Sequence, residues 1–507
     1  MNSELHFENS KSGELTCCFQ GKYFHSKYNP TSEGEKFAAN IQADFSPLCV
    51  FIIEPALSYC APFLRKRFPN AVLAALRFSD DFSESDSKWD FVFHLKKSGK
   101  INEILPLSEA LFSALGEEKL ISSLAFDWNP TKLAFPSENL AVWNEIKKAV
   151  LKARDVLGTR SYFSKRWLKN ALIFAANVQH PFLLKNLNKP VIIAASGPSL
   201  ESSLPFLKKF RASYFLIAVS SAFLPLSRNG IESDLVMSSD GGYWAKKHLD
   251  FPKNQAKTVF ALEAESAVPK KLLAHSAILP LVYADGLERD LLAAIHCPAL
   301  FSERNGTVAG TALSFACSLT NGNIYLCGLD QAPAPAFQHT QPNALETDNA
   351  KKDFRLRTTE TRLTSSRFLS APSLEIYRNW FISNSERFSS RVFRLSDNFA
   401  YTFSLGNISE KNWADFQKNE INRTSQSEAD NSRFFTEEKI GVAQKERVHL
   451  LTQTLKQLSK TERFTNEVFP MESILIRREL SPLKKEELSQ KLHEKISIFL
   501  SECEKLL

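Results

Sequence analysis

The sequence predicts an α/β protein with a Rossmann-like, mostly parallel central sheet, a smaller N-terminal α/β domain and a C-terminal helical region. Three observations predict this fold class. Short apolar stretches alternate with segments of helical period in the middle of the chain, which is typical of a parallel sheet covered on both faces. The same alternation occurs on a smaller scale near the amino terminus. The carboxyl-terminal region carries amphipathic helical patterns instead.

The length and composition bound the number of domains and the class of partner. A chain of 507 residues suggests roughly two to four domains. We place an N-terminal α/β domain at 1–120, a helical connector at 121–186, the central domain at 187–404 and the helical region at 405–507. The net charge of +7 fits an anionic ligand such as a nucleotide. Because the sequence has no dense Lys/Arg block with interleaved aromatic residues, we expect no nucleic-acid partner.

Targeting signals and metal-binding motifs are missing from the sequence. The first residues, MNSELHFENS, have neither a basic start nor an apolar stretch, and no apolar run is long enough to span a bilayer. The eight Cys form no CxxC pair and no cluster with His. We therefore expect a cytoplasmic protein without a membrane span and without a Cys/His metal site.

The N-terminal domain follows a strand-helix-strand pattern without the glycines of a dinucleotide fingerprint. The residues after its first strand are Pro55-Ala-Leu-Ser, so we interpret the domain as structural. The connector has a helix start at Pro136-Ser137-Glu138 and apolar residues at helical spacing after it. The predicted strands are PLCVFIIE (47–54), AVLAALRF (71–78) and WDFVFHL (89–95).

The central domain contains six predicted strands, and the C-terminal region contains two amphipathic helices. Those helices, VAQKERVHLLTQTLKQLSK and KKEELSQKLHEKISIFLSECEKLL, either pack on the body or join two copies into a homo-oligomer. The polar stretch at 417–435 is predicted to be a loop. The central strands are VIIAAS (191–196), YFLIAVS (214–220), SDLVMSS (233–239), TVFALE (258–263), SAILPLVYA (276–284) and NIYLCGLD (323–330).

Small polar and turn residues follow several of these strands. Ligands of open parallel sheets bind beyond the carboxyl ends of the strands, so we expect these residues to form a site. Each segment also has a structural interpretation, as a tight turn, a helix cap or a local hydrogen-bond partner. The segments are Ser196-Gly197-Pro198-Ser199, Ser220-Ser221, Ser238-Ser239-Asp240-Gly241-Gly242, Gly328-Leu329-Asp330 and the stretch RNGTVAGT (304–311) before a helix.

Several segments resemble the motility accessory factor (Maf) family. HSKYNPTSEGEKFAANI (25–41) resembles the opening motif of that family. ASGPSLE, AVSSAFLPLSRNGIESDLVMSSD and NGTVAGTALSFACSLTNGNIYLCGLDQA resemble its central domain, which carries a domain-of-unknown-function label numbered 115, in the same order. APSLEIYRNWF (371–381) resembles a later helix, so the match covers most of residues 20–385. The resemblance implies cytoplasmic glycosylation of flagellin Ser/Thr hydroxyls with pseudaminic, legionaminic or related nonulosonic acids.

The central segments are also similar to a family of bacterial sialyltransferases. The shared features are a Gly-Pro-Ser-Leu turn, a glycine turn before a helix, here Asn305-Gly306, and a strand ending like Ile324–Asp330. This resemblance implies a CMP-activated donor whose nucleotide is held by the two turns, with no other cofactor required. The residues it implies for nucleotide binding are Gly197, Pro198, Ser199, Leu200, Ser220, Ser221, Asn305, Gly306, Thr307 and Gly328.

The catalytic residues are harder to assign because the sequence departs from both families after Asp330. Gln331-Ala332-Pro333-Ala334-Pro335 stands where the sialyltransferases have tyrosines and where Maf proteins read Leu-Ala. His339 lies where Maf proteins often have a His, and its near-neutral pKa suits a general base; a structural or positioning role fits equally well. Asp240 and Asp330 are the other candidates, to position a sugar hydroxyl or act as the base.

The phosphate of the donor needs positive charge or N–H donors. We expect the backbone N–H groups of 197–200 to hold it without a metal. No Asp-x-Asp motif follows the nucleotide strands, although Asp240 alone could reach Mg²⁺ through water. Cations that either meet the phosphate or only face solvent follow His339: Lys351, Lys352, Arg355 and Arg357.

Two other functions remain open. The central domain also resembles an archaeal-type pterin diphosphokinase, which would use ATP and Mg²⁺ with Asp240 and Asp330 as ligands. Alternatively, the missing tyrosines and Gln331 fit a non-catalytic flagellin-binding protein that keeps the fold without the chemistry.

Overall fold

The computed structural model describes residues 5–95, 106–250, 258–332, 337–364, 372–388, 390–400, 402–421 and 434–507. The chain forms two compact units. The first comprises Met1–Ser164 and Thr465–Ser497, and the second comprises Lys165–Phe464 and Ile498–Leu507. The mixed α/β architecture predicted from the sequence is confirmed in both units.

The first unit contains an antiparallel sheet of β1 to β3 and a parallel sheet in the order β6-β5-β4-β7. All three predicted strands of the N-terminal region are present as β4, β5 and β6. The strands are β1 Leu5–Asn9, β2 Leu15–Phe19, β3 Lys22–Tyr23, β4 Cys49–Ile53, β5 Val72–Arg77, β6 Phe91–His94 and β7 Ser123–Asp127. The helices are α1 Pro30–Asn40, α2 Ala61–Arg67, α3 Leu107–Ile121 and α4 Asn129–Ala134, with a 3-10 turn at Ser83–Lys88; α5 Pro136–Asn177 begins in this unit and ends in the second.

The HSKYNP motif builds the start of α1. Asn29 caps the helix, since its side chain accepts a hydrogen bond from the Ser32 backbone N–H at 2.8 Å. His25 is buried, and its Nε2 accepts a hydrogen bond from the Leu57 backbone N–H at 3.0 Å. Burial lowers the pKa of His25 and outweighs the opposing influence of Glu33. The motif therefore joins α1 to the loop after β4.

The carboxyl ends of the first unit's strands are filled by a buried ion pair. Arg77 at the end of β5 donates to Glu54 after β4 at 2.9 Å and to Asp86 at 2.9 Å. Both Arg77 and Glu54 are almost fully enclosed, and burial raises the pKa of Glu54 against the influence of Arg77. These contacts fit the structural interpretation of this domain, because the pair occupies the place where a cofactor fingerprint would lie.

The second unit is built on one large sheet. In the described residues, eleven strands follow the order β17-β16-β15-β9-β10-β11-β12-β13-β8-β18, with β14 also paired to β13. Only β18 pairs antiparallel among these described strands, so the predicted mostly parallel sheet is confirmed. The strands are β8 His180–Leu184, β9 Val191–Ala194, β10 Phe215–Val219, β11 Leu235–Ser238, β12 Val259–Glu263, β13 Ala277–Tyr283, β14 Leu300–Ser302, β15 Ile324–Cys327, β16 Val392–Leu395, β17 Ser409–Lys411 and β18 Phe435–Glu437.

Helices flank this sheet. Every residue of β9, β10, β11, β12 and β15 is buried, as expected for strands covered on both faces. The helices between strands are α6 Ser199–Lys209, α7 Ser220–Arg228, α8 Tyr243–His248, α9 Lys270–His275, α10 Leu287–Ala294, α11 Val308–Leu319, α12 Ala344–Ala350 and α13 Thr359–Leu363. The later helices of this unit are Pro372–Phe388, Trp413–Phe416 and Gln444–Leu458, with a 3-10 turn at Arg211–Ser213 and a π-helical turn at Gln417–Ile421. Pro470–Arg478 belongs to the first unit, and Glu462–Val468 and Pro482–Glu504 have residues in both units.

Nine of the eighteen described strands were missed in the sequence, namely β1, β2, β3, β7, β8, β14, β16, β17 and β18. β7 and β8 lie inside 121–186, so that stretch is not helical throughout as predicted, and β17 and β18 lie inside the predicted helical region. All nine are two to five residues long, so the local pattern of each gives little signal. The predicted loop at 417–435 lies largely outside the described residues. No helix in the described part of the chain combines the length and apolar character needed to cross a bilayer.

Candidate nucleotide-binding edge of the central sheet

The carboxyl edge of the second sheet contains a topological switch point between β9 and β15. From β9 the chain adds β10 to β13 on one side, and it then returns to place β15 on the other side of β9. The two strand ends are hydrogen-bonded beyond the ladder: Ala195 N–H donates to the Cys327 carbonyl and Gly197 N–H to the Gly328 carbonyl, both at 2.8 Å. Such a switch point is the usual ligand site of an open α/β sheet.

Asp330 fastens the segment after β15 to the Gly-Pro turn after β9. Its Oδ2 accepts from the Ser199 backbone N–H at 2.8 Å, and its Oδ1 accepts from the Ser199 hydroxyl. Asp330 is buried, and burial raises the pKa of its carboxyl, while the Ser199 bonds and Arg394 act in the opposite direction. The carboxylate caps the start of α6, so the structural interpretation of Asp330 is satisfied.

Two glycines permit this close approach. A Cβ on Gly197 would lie 2.5 Å from the Gly328 carbonyl oxygen and 2.6 Å from Asp330 Oδ2. Gly328 has φ +71°, and a Cβ there would lie 2.3 Å from the Ala195 carbonyl oxygen. Side chains at either position would force the two segments apart. The glycines are therefore explained by backbone packing at the switch point.

One predicted feature of this turn is contradicted. We expected the backbone N–H groups of 197–200 to hold a phosphate, but each of them already donates within the protein. Gly197 donates to Gly328, Ser199 to Asp330, and Leu200 to the Gly197 carbonyl at 3.0 Å, while Pro198 has no N–H. A phosphate at this edge must therefore find its donors elsewhere.

The loops after β10 and β11 reach the same edge. Ser196 and Ser221 share a hydrogen bond of 2.7 Å between their hydroxyls, which links the β9 turn to the start of α7, where Ser220 is the first residue. The Thr311 hydroxyl lies 3.4 Å from the Ser239 hydroxyl, which links α11 to the β11 loop. These bonds join the turn after β9 to the turn after β10 and, separately, the loop after β11 to α11.

The segment before α11 is a helix start with a left-handed glycine. Thr307 caps α11 by accepting from the Gly310 N–H at 2.9 Å, and Gly306 has φ +71° with open space around it. Asn305 is buried, and its amide donates to the Glu303 carbonyl at 3.2 Å. The other N–H groups of the first turn have no intrahelical acceptor, as at any helix start.

His339 lies beside the Gly-Pro turn. The neighbouring Thr340 donates from its N–H to the Ser196 carbonyl at 2.8 Å and from its hydroxyl to the Gly197 carbonyl at 2.7 Å. Burial lowers the pKa of His339, with Glu346 acting against it, and His339 Nδ1 has no hydrogen-bond partner among the described residues. The pKa of His248 on α8 falls to about 4, mainly through burial and secondarily through His339.

Asp240 lies in an exposed turn at the end of β11. Its Oδ1 accepts from the Gly242 N–H at 2.8 Å, so the turn interpretation is also satisfied. The helix Pro372–Phe388 lies near this turn, because the charge of Asp240 adds to burial in raising the pKa of Tyr377. The same helix approaches α11, since a Cβ on Gly310 would lie 3.3 Å from the Trp380 ring.

Comparisons with known proteins agree with this architecture. A solved structure described as a MAf glycosyltransferase from Magnetospirillum magneticum AMB-1 is similar over 100% of this chain and 93% of its own chain, with a TM-score of 0.58 and 13% identity. The chain folds like a Maf glycosyltransferase. A family model described as 6-hydroxymethylpterin diphosphokinase MptE-like matches residues 165–334. The Maf-like fold and the pterin diphosphokinase-like central domain recognised in the sequence are thus confirmed, and the sialyltransferase resemblance stays a prediction.

Two uncharacterised proteins of Treponema pallidum (strain Nichols) are also similar. One is 31% identical over 285 residues, which is 56% of this chain and 62% of that protein. The other is 28% identical over 120 residues, which is 22% of this chain and 56% of that protein. The matched parts span less than two thirds of the length of these relatives.

Several polar residues near the carboxyl edge of the second unit's sheet were missed in the sequence. Arg378 and Tyr377 lie on the helix Pro372–Phe388, within the segment that resembles the later Maf helix, and that resemblance was the available signal. Glu263, the last residue of β12, and Glu288, in α10, are fully buried, and both oxygens of Glu263 lack a partner among the described residues. Burial, followed by the charges of Glu288 and Glu265, raises the pKa of Glu263.

These carboxyl groups do not form a metal site. No group of three or more His, Cys, Asp or Glu side chains in the described ranges is arranged to hold a metal ion. The Mg²⁺ ligands expected for a diphosphokinase, Asp240 and Asp330, are each engaged within the protein, since Asp330 accepts from Ser199 with both oxygens. Recesses elsewhere include one of about 590 Å³ lined by Phe206, Phe210, Phe399 and Trp413.

Proposed function

We propose that the protein is a cytoplasmic protein O-glycosyltransferase that moves a nonulosonic acid from a CMP-activated donor to a Ser/Thr hydroxyl of flagellin. The observation that supports the proposal is the joining of the β9 turn and the β15 segment at the switch point, in a Maf-like fold. Ligands of open α/β sheets bind at this position. The donor's nucleotide would lie against Gly197, Ser221 and the start of α11.

The transfer requires one bond to form, one bond to break and one proton to move to a base. The acceptor oxygen bonds to the anomeric carbon of the sugar, the bond from that carbon to the phosphate oxygen breaks, and its electron pair leaves with CMP. The hydroxyl proton must pass to a base. The phosphate gains one negative charge, which positive groups at the edge must stabilise.

His339 is our candidate for the base. Its imidazole is kept neutral by burial, which lowers the pKa of the side chain, so it can accept a proton near neutral pH. Its Nδ1 is free of partners among the described residues, and Thr340 holds the segment beside Gly197. Asp330 is less suited, because Ser199 donates to both of its oxygens and the carboxylate fixes the turn. Asp240 is exposed and is our candidate for binding a sugar hydroxyl.

The proposal is tested by the intact mass of flagellin from cells with the wild-type gene, without it, and with a His339→Gln variant. We expect a mass increment of one or more nonulosonic acid residues that disappears in the deletion and the variant. The Ser202→Ala variant is the control, because Ser202 lies in the same helix as Ser199 and, among the described residues, its hydroxyl hydrogen-bonds only to the Ser199 carbonyl. Flagellin of unchanged mass in all strains would remove flagellin as the acceptor.

The diphosphokinase match supports a second candidate function. Residues 165–334 match that family, so transfer of diphosphate from ATP to a pterin is the alternative activity. Conversion of ATP to AMP with a hydroxymethylpterin acceptor, and no release of CMP from CMP-sugars, would favour it. Binding of flagellin without any glycan change, and without release of CMP, would favour the non-catalytic alternative.

A further inference from the structure

The proposed reaction leaves one requirement unmet at the switch point, a cation for the donor phosphate. The N–H groups of 197–200 donate within the protein, as described above. The phosphate charge grows as CMP leaves, so the edge needs a positively charged donor placed before the reaction begins. Arginine is the side chain best matched to a phosphate, since its guanidinium presents several N–H donors in one plane.

Most described cations near this edge are committed to carboxylates. Arg394 pairs with Glu410 and donates to the Phe403 carbonyl, and Arg304 lies between Glu265 and Asp285. Arg362 is held by Glu346 and Asp353 on both sides. Lys351 pairs with Asp348 on the surface, and Lys352, Arg355 and Arg357 are exposed. Arg394, Arg304 and Arg362 therefore cannot bind a phosphate without breaking an ion pair.

Arg378 differs from those three arginines because its charge has no carboxylate partner among the described residues, and from the exposed cations because part of its guanidinium is buried. Its guanidinium lies 4.8 Å from the centre of the Phe403 ring, and its Nε is buried without a hydrogen-bond partner among those residues. The Phe403 backbone N–H donates to the Asp330 carbonyl at 3.2 Å. Through Phe403, Arg378 is therefore placed next to the segment that forms one wall of the switch point.

Tyr377 precedes Arg378 on the same helix and lies within electrostatic range of Asp240 in the β11 loop. Its phenol is half-buried, and the charge of Asp240 contributes, after burial, to raising the pKa of the hydroxyl. Three residues further along, Trp380 lies against Gly310 in the first turn of α11. The helix Pro372–Phe388 thus passes from the β15 segment to the β11 loop and the start of α11, the elements expected to surround the donor.

We propose that Arg378 binds the phosphate of the nucleotide donor and that Tyr377 donates a hydrogen bond to the same leaving group. The inference rests on the proposed function, and it deepens it by naming the groups that stabilise the departing CMP. The two groups come from consecutive residues of one helix.

The test is calorimetric titration of the full-length protein with CMP and with cytidine, which lacks the phosphate. Loss of a charge-assisted phosphate contact should weaken CMP binding by about 10- to 100-fold in Arg378→Met, with cytidine affinity unchanged. Arg378→Lys should lie between Arg378→Met and wild type, because it keeps the charge without the planar fork. Tyr377→Phe should weaken CMP binding by a few fold. Arg387→Met is the matched control, since Arg387 lies on the same helix and pairs with Glu303 at 3.6 Å.

The outcomes separate this inference from the function on which it rests. Wild-type protein that binds CMP more tightly than cytidine, with Arg378→Met equal to wild type, would overturn the role of Arg378. Wild-type protein that binds neither CMP nor cytidine would overturn the proposed function itself. If circular dichroism and the melting temperature show that Arg378→Met does not fold, CMP binding by Arg378→Lys and by Tyr377→Phe is measured instead. Both variants are expected to bind CMP more weakly than wild type.

Discussion

Replacing Asp330 tests whether its carboxylate holds the switch point together. In Asp330→Ala the Ser199 N–H loses its acceptor at 2.8 Å, and the Ser199 hydroxyl loses its own. A buried donor left without a partner costs about 1–3 kcal/mol. The variant also removes a carboxylate whose ionisation is opposed by burial, which offsets part of this cost. We therefore expect a net loss of about 2 kcal/mol, or a melting temperature lower by roughly 4–8 °C.

Asp330→Asn is the matched variant. An asparagine can accept from the Ser199 N–H with Oδ1 and donate to the Ser199 hydroxyl with Nδ2, so both contacts survive, and we expect a loss below about 1 kcal/mol. The difference from wild type should depend on pH. Because burial raises the pKa of Asp330 above its ordinary 3.8, wild-type stability relative to Asp330→Asn is greatest at acid pH. That advantage is lost as the pH rises through the folded-state pKa.

Differential scanning calorimetry across a pH series measures both effects. Ser202→Ala serves as the control, because it removes one side-chain hydrogen bond in the first turn of α6 without touching the Asp330–Ser199 contacts. A melting temperature of Asp330→Ala within one degree of wild type would refute the reasoning. So would a wild-type advantage over Asp330→Asn that grows with rising pH.

Three further predictions concern the same edge. Gly197→Ala should lose activity and about 1–3 kcal/mol of stability, because its Cβ would lie 2.5 Å from the Gly328 carbonyl oxygen. The control Gly158→Ala has open space around the new Cβ and should be as stable as wild type or more so. Equal melting temperatures for the two variants would contradict the clash. Since burial lowers the pKa of His339, the acid limb of the pH profile of kcat/KM should lie below the ordinary histidine pKa of 6.5. His339→Gln should reduce kcat/KM by about 10²–10⁴ and abolish that limb. An acid limb that persists in the variant excludes His339 as the base. Burial raises the pKa of Glu263 well above 4.5, so wild-type stability should fall as the pH rises through that higher value, and the melting temperature of Glu263→Gln should depend less on pH; identical pH profiles would contradict it.

The fold was predictable where strands are apolar throughout. All six predicted central strands exist because a strand buried on both faces leaves a continuous apolar run, as in Phe215–Val219. Several short strands were missed because they have too few positions to show a period. β17 and β18, at the two edges of the sheet, are three residues long each, and β18 pairs with the distant β8.

The site was predictable only in its turns. Glycine, proline and serine after apolar strands indicated where the chain bends, and those bends do meet at one edge. The hydrogen bond from the Ser199 N–H to Asp330 could not be predicted, because the two residues are 131 positions apart in the sequence. Asp330 occupies the donor that a phosphate would otherwise use. Arg378 was missed for a similar reason: an arginine on a helix is usually solvated, and its unpartnered Nε is visible only in three dimensions.

A crystal structure of the protein with bound CMP tests the central claim most directly. We expect the phosphate of CMP at the carboxyl edge between β9 and β15, within hydrogen-bond distance of Arg378 and close to the start of α11. CMP density in another recess, such as the one lined by Phe206 and Trp413, or an edge left empty at saturating CMP, would contradict the assignment of this edge as the donor site.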